Sequence, residues 1–178
     1  MTEAASPRPD ALDDDTLAFA HRVFGHARAG QADELAPLLD IGLPVNLRNG
    51  AGDTLLMLAS YHGRHDAARL LLERGADPEV ANDRGQTPLA AASYQGDIAM
   101  VRLLLARGAD VNGAGRNGRT ALMTAAMFNR VEIVALLLGR GADPDLRDVN
   151  GLTAEAAAQV MGAPDTPGQI ARHRAARD

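Results

Sequence analysis

Leucine triplets recur along the chain at a fixed spacing of about 33 residues, the length of one helical repeat. Each triplet is followed by a glycine, and each period opens with a threonine in the same register. The triplets are Leu70–Leu72, Leu103–Leu105 and Leu136–Leu138; the glycines are Gly75, Gly108 and Gly141; the threonines are Thr54, Thr87, Thr120 and Thr153. This pattern predicts a solenoid whose units bury their apolar faces against one another.

Each period is expected to contain two helices. The opening threonine stands where the first helix begins, because its hydroxyl can accept a hydrogen bond from the unpaired N–H groups there. Pro88 follows Thr87 at the first helical position, where it needs no N–H. This helix ends at Gly63, Gly96 or Asn129, which tolerate a left-handed backbone. The second helix carries the leucine triplet as its buried stripe, and a turn-rich connector beyond it is expected to form a β-hairpin.

These features resemble the ankyrin-repeat family. The segment NDRGQTPLAAASYQGDIAMVRLLLARGADVNGA (82–114) matches an ankyrin repeat almost position for position, and residues 16–162 follow the same pattern. The resemblance implies an all-α ankyrin-repeat solenoid of helix–turn–helix units with β-hairpin loops. One departure recurs, since Met57, Ala90 and Met123 replace the histidine of the family's Gly-x-Thr-Pro-Leu-His opening. We expect these side chains to fill that space by packing.

The register divides the chain into six segments. They are a disordered tail at 1–13, an N-terminal capping repeat at 14–48, ankyrin repeats at 49–81, 82–114 and 115–147, and a C-terminal capping repeat with its tail at 148–178.

Both ends are expected to differ from the central repeats, because a terminal repeat has one uncovered face. The first helix is predicted to start near Asp15 or Thr16. Leu17, Ala20, Phe24 and Ala27 are predicted to lie on one face of this helix. Near the other end, residues 166–169 (TPGQ) predict a capping box with proline at the first helical position, opening a final helix to about residue 177.

Composition excludes several classes of function. The net charge of −5 disfavours nucleic acid, which requires a basic face. The chain has no Cys, and all 18 basic residues are Arg, so thiol nucleophiles, cysteine metal sites and lysine chemistry are excluded. Residues 1–15 lack the apolar run of a secretory signal, so a cytoplasmic protein is expected. The excess of Arg and Ala indicates a GC-rich bacterial genome.

Possible catalytic or cofactor motifs have simpler explanations. Residues 113–118 match G-x-G-x-x-G, but they lie in a connector between repeats, outside any βαβ unit. His62 and His65 lack a third ligand at useful spacing. Ser60 and Ser93 occupy one repeat position and are expected to be small packing residues. We therefore expect no metal, no cofactor and no catalytic residues.

One group of side chains favours a binding function. In ankyrin proteins the two positions before the turn between the helices point into the concave groove, and here they hold aromatic residues and Met, which are enriched at protein interfaces. The hairpin tips beside them are also candidates. The predicted partner-binding residues are Tyr61, His62, Tyr94, Gln95, Met127, Phe128, Asp83, Arg84, Arg116 and Asn117.

Two alternatives remain for these residues. The rings could simply shield the tops of the helices, and the charged tips could serve only to keep the surface hydrated. The family resemblance implies a non-catalytic, monomeric protein that binds another protein as its regulator, inhibitor or immunity partner. Self-association through the same surface, or an enzyme with a cryptic acid–base site, are the alternatives, and light scattering over a dilution series would detect self-association.

Overall fold

The computed structural model describes residues 14–177, which form ten α-helices in five helix–turn–helix pairs. The predicted disordered tail at 1–13 lies outside the described residues. The helices are α1 (Asp14–Ala29), α2 (Ala32–Asp40), α3 (Leu55–Tyr61), α4 (His65–Glu73), α5 (Pro88–Gln95), α6 (Ile98–Ala106), α7 (Ala121–Met127), α8 (Val131–Gly139), α9 (Ala154–Val160) and α10 (Thr166–Ala175).

The pairs stack side by side along one axis. The first helices of successive pairs pack in the order α1, α3, α5, α7 and α9, and the second helices form a parallel row of α2, α4, α6, α8 and α10. A continuous apolar core runs between the two rows from Val23 to Ile170. The predicted all-α solenoid is therefore confirmed.

The opening threonines cap the first helices as predicted. Thr54 Oγ1 accepts the Met57 N–H at 3.0 Å, and Thr87 Oγ1 accepts the Ala90 N–H at 3.2 Å. Thr120 and Thr153 cap α7 and α9 in the same way. Each bond satisfies a backbone donor at the start of its helix, and such a cap contributes about 1 kcal/mol.

The turns between paired helices need a left-handed residue. Gly63 and Gly96 adopt φ values of 65° and 81° there, and Asn129 takes the same role at φ 53°. Asparagine also has a side chain to use: its Oδ1 accepts the N–H groups of Asp165 and Thr166 at 3.1 and 3.2 Å. Asn129 therefore forms the turn and ties the last helix pair to its neighbour.

Only the middle leucine of each predicted triplet is fully buried. Leu71, Leu104 and Leu137 have no exposed surface, whereas their flanking leucines are mostly half-buried against the core. Met57 and Met123 are also buried, in agreement with the packing role predicted for them.

The connectors are turns braced by side chains rather than regular hairpins. Within residues 14–177 the predicted β pairing is reduced to isolated bridges, between Arg48 and Thr54 and between Ala114 and Thr120. Asn82 Oδ1 accepts the backbone N–H groups of Arg84 and Gln86, and this bonding replaces longer strand pairing. Asn49 and Asp148 brace their own turns in the same manner.

On the predicted face of α1, Phe24 and Ala27 are buried and Leu17 is 41% exposed, while Val23 is also buried. At the other end of the chain the predicted capping box was wrong. Thr166 does not form a capping box, because its Oγ1 instead donates to the Ala126 carbonyl at 2.7 Å and is buried there. Asp165 precedes the helix without a side-chain cap, so α10 is anchored by its contacts with the preceding pair.

A ladder of side chains links the connectors that follow the second helices. Asn46 accepts the Asp77 N–H at 2.9 Å, and Asn112 accepts the Asp143 N–H at 2.8 Å. Glu79 occupies the equivalent position and accepts the Asp110 N–H at 2.9 Å. Partial burial raises the pKa of Glu79, and the carboxylates of Asp110 and Asp77 add to that shift, although the Asp110 N–H opposes it.

We expect Glu79→Gln to raise the melting temperature near neutral pH. A carboxyl group whose pKa is raised on folding binds protons more tightly in the folded state, so the parent loses stability as pH rises through that pKa. Glutamine keeps the acceptor oxygen without the charge. Thermal melts at about pH 7 and about pH 4 should show a gain that shrinks in acid, where the parent glutamate is protonated. An equal melting temperature for parent and variant at both pH values would contradict this account.

Leu104→Ala and Leu137→Ala should each destabilise the fold by about 2–5 kcal/mol, because each leaves a cavity in the fully buried row. Urea denaturation measures the change, with Leu17→Ala as the exposed control, expected to move stability by only about 0.5 kcal/mol. Unchanged midpoints in both core variants would show that the buried face is misplaced.

Candidate protein-binding surface

The predicted groove residues lie at the C-terminal ends of the first helices. Tyr61 is the last residue of α3, and Tyr94 occupies the equivalent position near the end of α5. Met127 ends α7, and Phe128 is its C-cap residue. Because the first helices pack side by side, their ends form one row across three successive repeats.

The aromatic side chains in this row contact one another. The rings of Tyr61 and Tyr94 stack with centroids 6.2 Å apart and planes at 11°. The Phe128 ring meets Tyr94 edge to face at 4.6 Å and 83°. His62 packs edge-on against Tyr61 at 5.2 Å. We call Tyr61, Tyr94 and Phe128 the aromatic row; mutual packing restricts their rotamers while part of each ring stays exposed.

The row extends further than the sequence analysis predicted. Val160 ends α9 and Met161 is its C-cap residue, at the positions equivalent to Met127 and Phe128, and their exposed fractions are 73% and 50%. The 33-residue register identifies both positions, which the prediction of a C-terminal cap leaves out of the groove. At the opposite end of the row the equivalent position holds Arg28. The surface thus changes from charged to aromatic to aliphatic along the solenoid.

The predicted tip residues have unequal roles. Asp83 pairs with Arg48 of the preceding loop at 3.1 Å. The Asn117 Nδ2 donates to the Arg84 carbonyl at 3.0 Å. These two side chains therefore hold neighbouring loops together. The side chains of Arg84 and Arg116 are exposed, and so is the side-chain amide of Gln95 beside the aromatic row.

Two cavities lie between the aromatic row and the loops. The larger, about 260 Å³, is lined by residues that include Arg84, Gln86, Tyr94, Arg119 and Phe128. The other, about 220 Å³, is lined by residues that include Arg28, Met57, Tyr61, His62 and Arg84. Both are open at the surface, so the groove consists of shallow depressions of a size that suits single side chains.

The acidic groups nearest the larger cavity are buried. Burial acts to raise the pKa of Asp148, but the backbone N–H groups of Leu152 and Asn150 outweigh it, together with the Arg119 guanidinium. The pKa of Asp148 therefore lies below its ordinary value. Asp53 is also buried and accepts the Asn82 amide at 2.8 Å. The positive side chains remain at the surface, so the exposed part of the groove is locally basic.

The structure shows where the candidate metal-ligating and nucleophilic side chains lie. Within residues 14–177 no group of three or more His, Asp or Glu side chains is placed to hold a metal ion. His65 instead pairs with Asp97 at 2.8 Å. Ser60 and Ser93 are buried between helices, and Ser93 donates to the Leu89 carbonyl. In the same range no helix has the length and apolar character needed to cross a membrane.

Comparison with known proteins agrees with this architecture. A sequence-family model for ankyrin repeats (three copies) matches residues 24–114 and 56–148, which together cover more than half of the chain. The chain therefore belongs to the ankyrin-repeat family. Ankyrin repeats are generally protein–protein interaction modules, and the family is typically non-catalytic.

A bacterial relative shows the same repeats. An ankyrin repeat protein of Pseudomonas aeruginosa is 57% identical over 65 residues. That alignment covers 36% of this chain and 37% of the relative, so the similarity extends over only about a third of each protein.

Proposed function

We propose that this chain is a non-catalytic, monomeric binding protein that holds a partner protein in its groove and so acts as the partner's regulator, inhibitor or immunity partner. The contact surface consists of the aromatic row, with Met127 beside it, and the neighbouring hairpin tips. The aromatic row carries the proposal, because its three rings come from successive repeats, pack against one another through Tyr94 and stay partly exposed.

The packing of these rings suits binding. Tyr94 lies between Tyr61 and Phe128, so its side chain has lost much of its rotamer freedom before any partner arrives. A partner that covers the row therefore removes apolar surface from water at a low cost in side-chain entropy. Rigid aromatic anchors of this kind dominate the energy of many protein interfaces.

The aliphatic end of the groove adds to the same surface. Val160 and Met161 continue the row beyond Phe128, and exposed apolar side chains that adjoin an aromatic patch enlarge the area that a partner can bury. Polar loops flank the aromatic row and these two residues, as is typical of interfaces with an apolar centre and a hydrated rim. The aromatic row, extended by Val160 and Met161, is therefore the expected centre of the interface.

Replacing Tyr61, Tyr94 and Phe128 together with Ala should weaken partner binding at least about a hundredfold, since each aromatic hot spot contributes about 2 kcal/mol. The partner is first captured from the native bacterium and then purified. The chain has two Tyr and no Trp, and both tyrosines lie in the row. Tyrosine fluorescence of the parent protein therefore reports binding directly when the partner lacks Trp, and calorimetry serves for all variants.

The matched control is Ile41→Ala with Val131→Ala, two exposed apolar side chains outside the aromatic row. This control should bind the partner as the parent does. Thermal melts should show that the triple variant remains folded, because the three rings lie outside the leucine core. A folded triple variant that binds as tightly as the parent would rule out the groove as the binding surface.

A further inference from the structure

Two arginines at the larger cavity have guanidinium groups with no close partner in the described part of the chain. The nearest carboxylate to Arg84 is Asp53 at 4.0 Å, and the nearest to Arg119 is Asp148 at 3.8 Å. Both distances are longer than the donor–acceptor distance of a hydrogen bond. The two side chains are 70% and 40% exposed. Their N–H donors are therefore open to a ligand.

Two other loop arginines are already engaged, whereas Arg116 is exposed but does not line this cavity. Arg48 donates to Asp83 and to the Gly52 carbonyl, both at 3.1 Å. Arg147 donates to the Gly151 carbonyl at 2.8 Å. Arg84 and Arg119 thus differ from these neighbours in bonding as well as in position, because both line the same cavity beside the aromatic row.

The two nearby carboxylates are poorly placed to draw these arginines in. Asp53 Oδ1 accepts the Asn82 amide at 2.8 Å. Asp148 Oδ1 accepts the N–H groups of Asn150 and Leu152 at 2.9 and 3.0 Å. Both carboxylates are buried, and they are held by side-chain amides at Asp53 and by backbone N–H groups at Asp148. They therefore offset the arginine charge without occupying the guanidinium donors.

Part of the lining of this cavity is apolar. Tyr94, Met127 and Phe128 line it together with the two arginines, and its volume of about 260 Å³ accommodates one large apolar side chain. A guanidinium binds a carboxylate through two parallel hydrogen bonds, and such pairs are stronger where apolar contact excludes water. The cavity therefore combines apolar and cationic side chains.

We propose that this cavity binds an acidic segment of the partner protein, in which an apolar side chain is flanked by carboxylates. The apolar side chain rests on Tyr94 and Phe128, and the carboxylates pair with Arg84 and Arg119. This inference rests on the proposed function and specifies the partner's chemistry at that surface. It also requires the attraction to weaken as salt is added, because the pairs lie at the surface.

Fluorescein-labelled peptides test this proposal by polarisation titration. The main probe has one Leu between two pairs of Glu. Three matched probes replace the Glu residues with Gln, replace them with Lys, or replace the Leu with Ser, and a single-stranded DNA oligomer serves as a nucleic-acid probe. We expect the acidic leucine peptide to bind at least about tenfold more tightly than every other probe, and to weaken with salt.

The decisive variant is Arg84→Gln with Arg119→Gln, which should lose that preference by at least about tenfold. The control is Arg69→Gln with Arg102→Gln, which removes the same charge from two exposed arginines on α4 and α6. This control should keep the preference, and melts should show both variants folded. Equal binding of all peptides, no binding, tighter DNA binding, or a parent-like decisive variant would each overturn the proposal.

Binding of the two variants to the captured partner distinguishes a failure of this inference from a failure of the proposed function. If the aromatic triple variant loses the partner but the Arg84→Gln, Arg119→Gln variant keeps it, the groove binds a partner of different chemistry and only this inference fails. If the aromatic triple variant keeps the partner, the proposed function itself fails.

Discussion

The structure depends on the close packing of successive first helices. One position in each of α3, α5, α7 and α9 is a fully buried alanine, at Ala59, Ala92, Ala125 and Ala158. Small side chains at these positions let neighbouring helices approach closely, and the apolar core between the two helix rows holds them there. This close approach recurs in each repeat. The side chain two residues after the buried alanine therefore contacts its counterpart in the next repeat. The stacking of Tyr61 on Tyr94 is a direct consequence.

The same packing explains why function is expected on the surface. A solenoid of paired helices has contacts mainly between neighbouring units, so it encloses little interior space for a polar site. It does align equivalent positions over a long distance, which gives an extended concave surface. In this chain the loops beside that surface are fastened by Asn82, Asp83 and Asn117, whereas Arg84 and Arg119 remain open. Some loop residues therefore make structural contacts, while adjacent arginines keep exposed donors.

The sequence predicted the elements that depend on local chemistry and repetition. The threonine caps and the left-handed turns at Gly63 and Gly96 followed from residue type and spacing. It did not predict contacts between repeats. Thr166 was assigned to a capping box because its local pattern fits one, but the nearby Ala126 carbonyl offers it a buried acceptor. Asp83 was predicted to bind a partner, and only its three-dimensional position shows that Arg48 engages it. The predicted groove omits Val160 and Met161, because a terminal repeat is expected to differ from the central ones.

The central claim is that the partner covers the row of first-helix ends. Hydroxyl-radical footprinting of the captured complex tests it directly, because this reagent modifies exposed aromatic and Met side chains. Binding should protect Tyr61, Tyr94, Phe128 and Met161, while Phe19 on α1 keeps the modification rate of the free protein. Unchanged rates along the row, with protection confined to the second helices, would contradict this account.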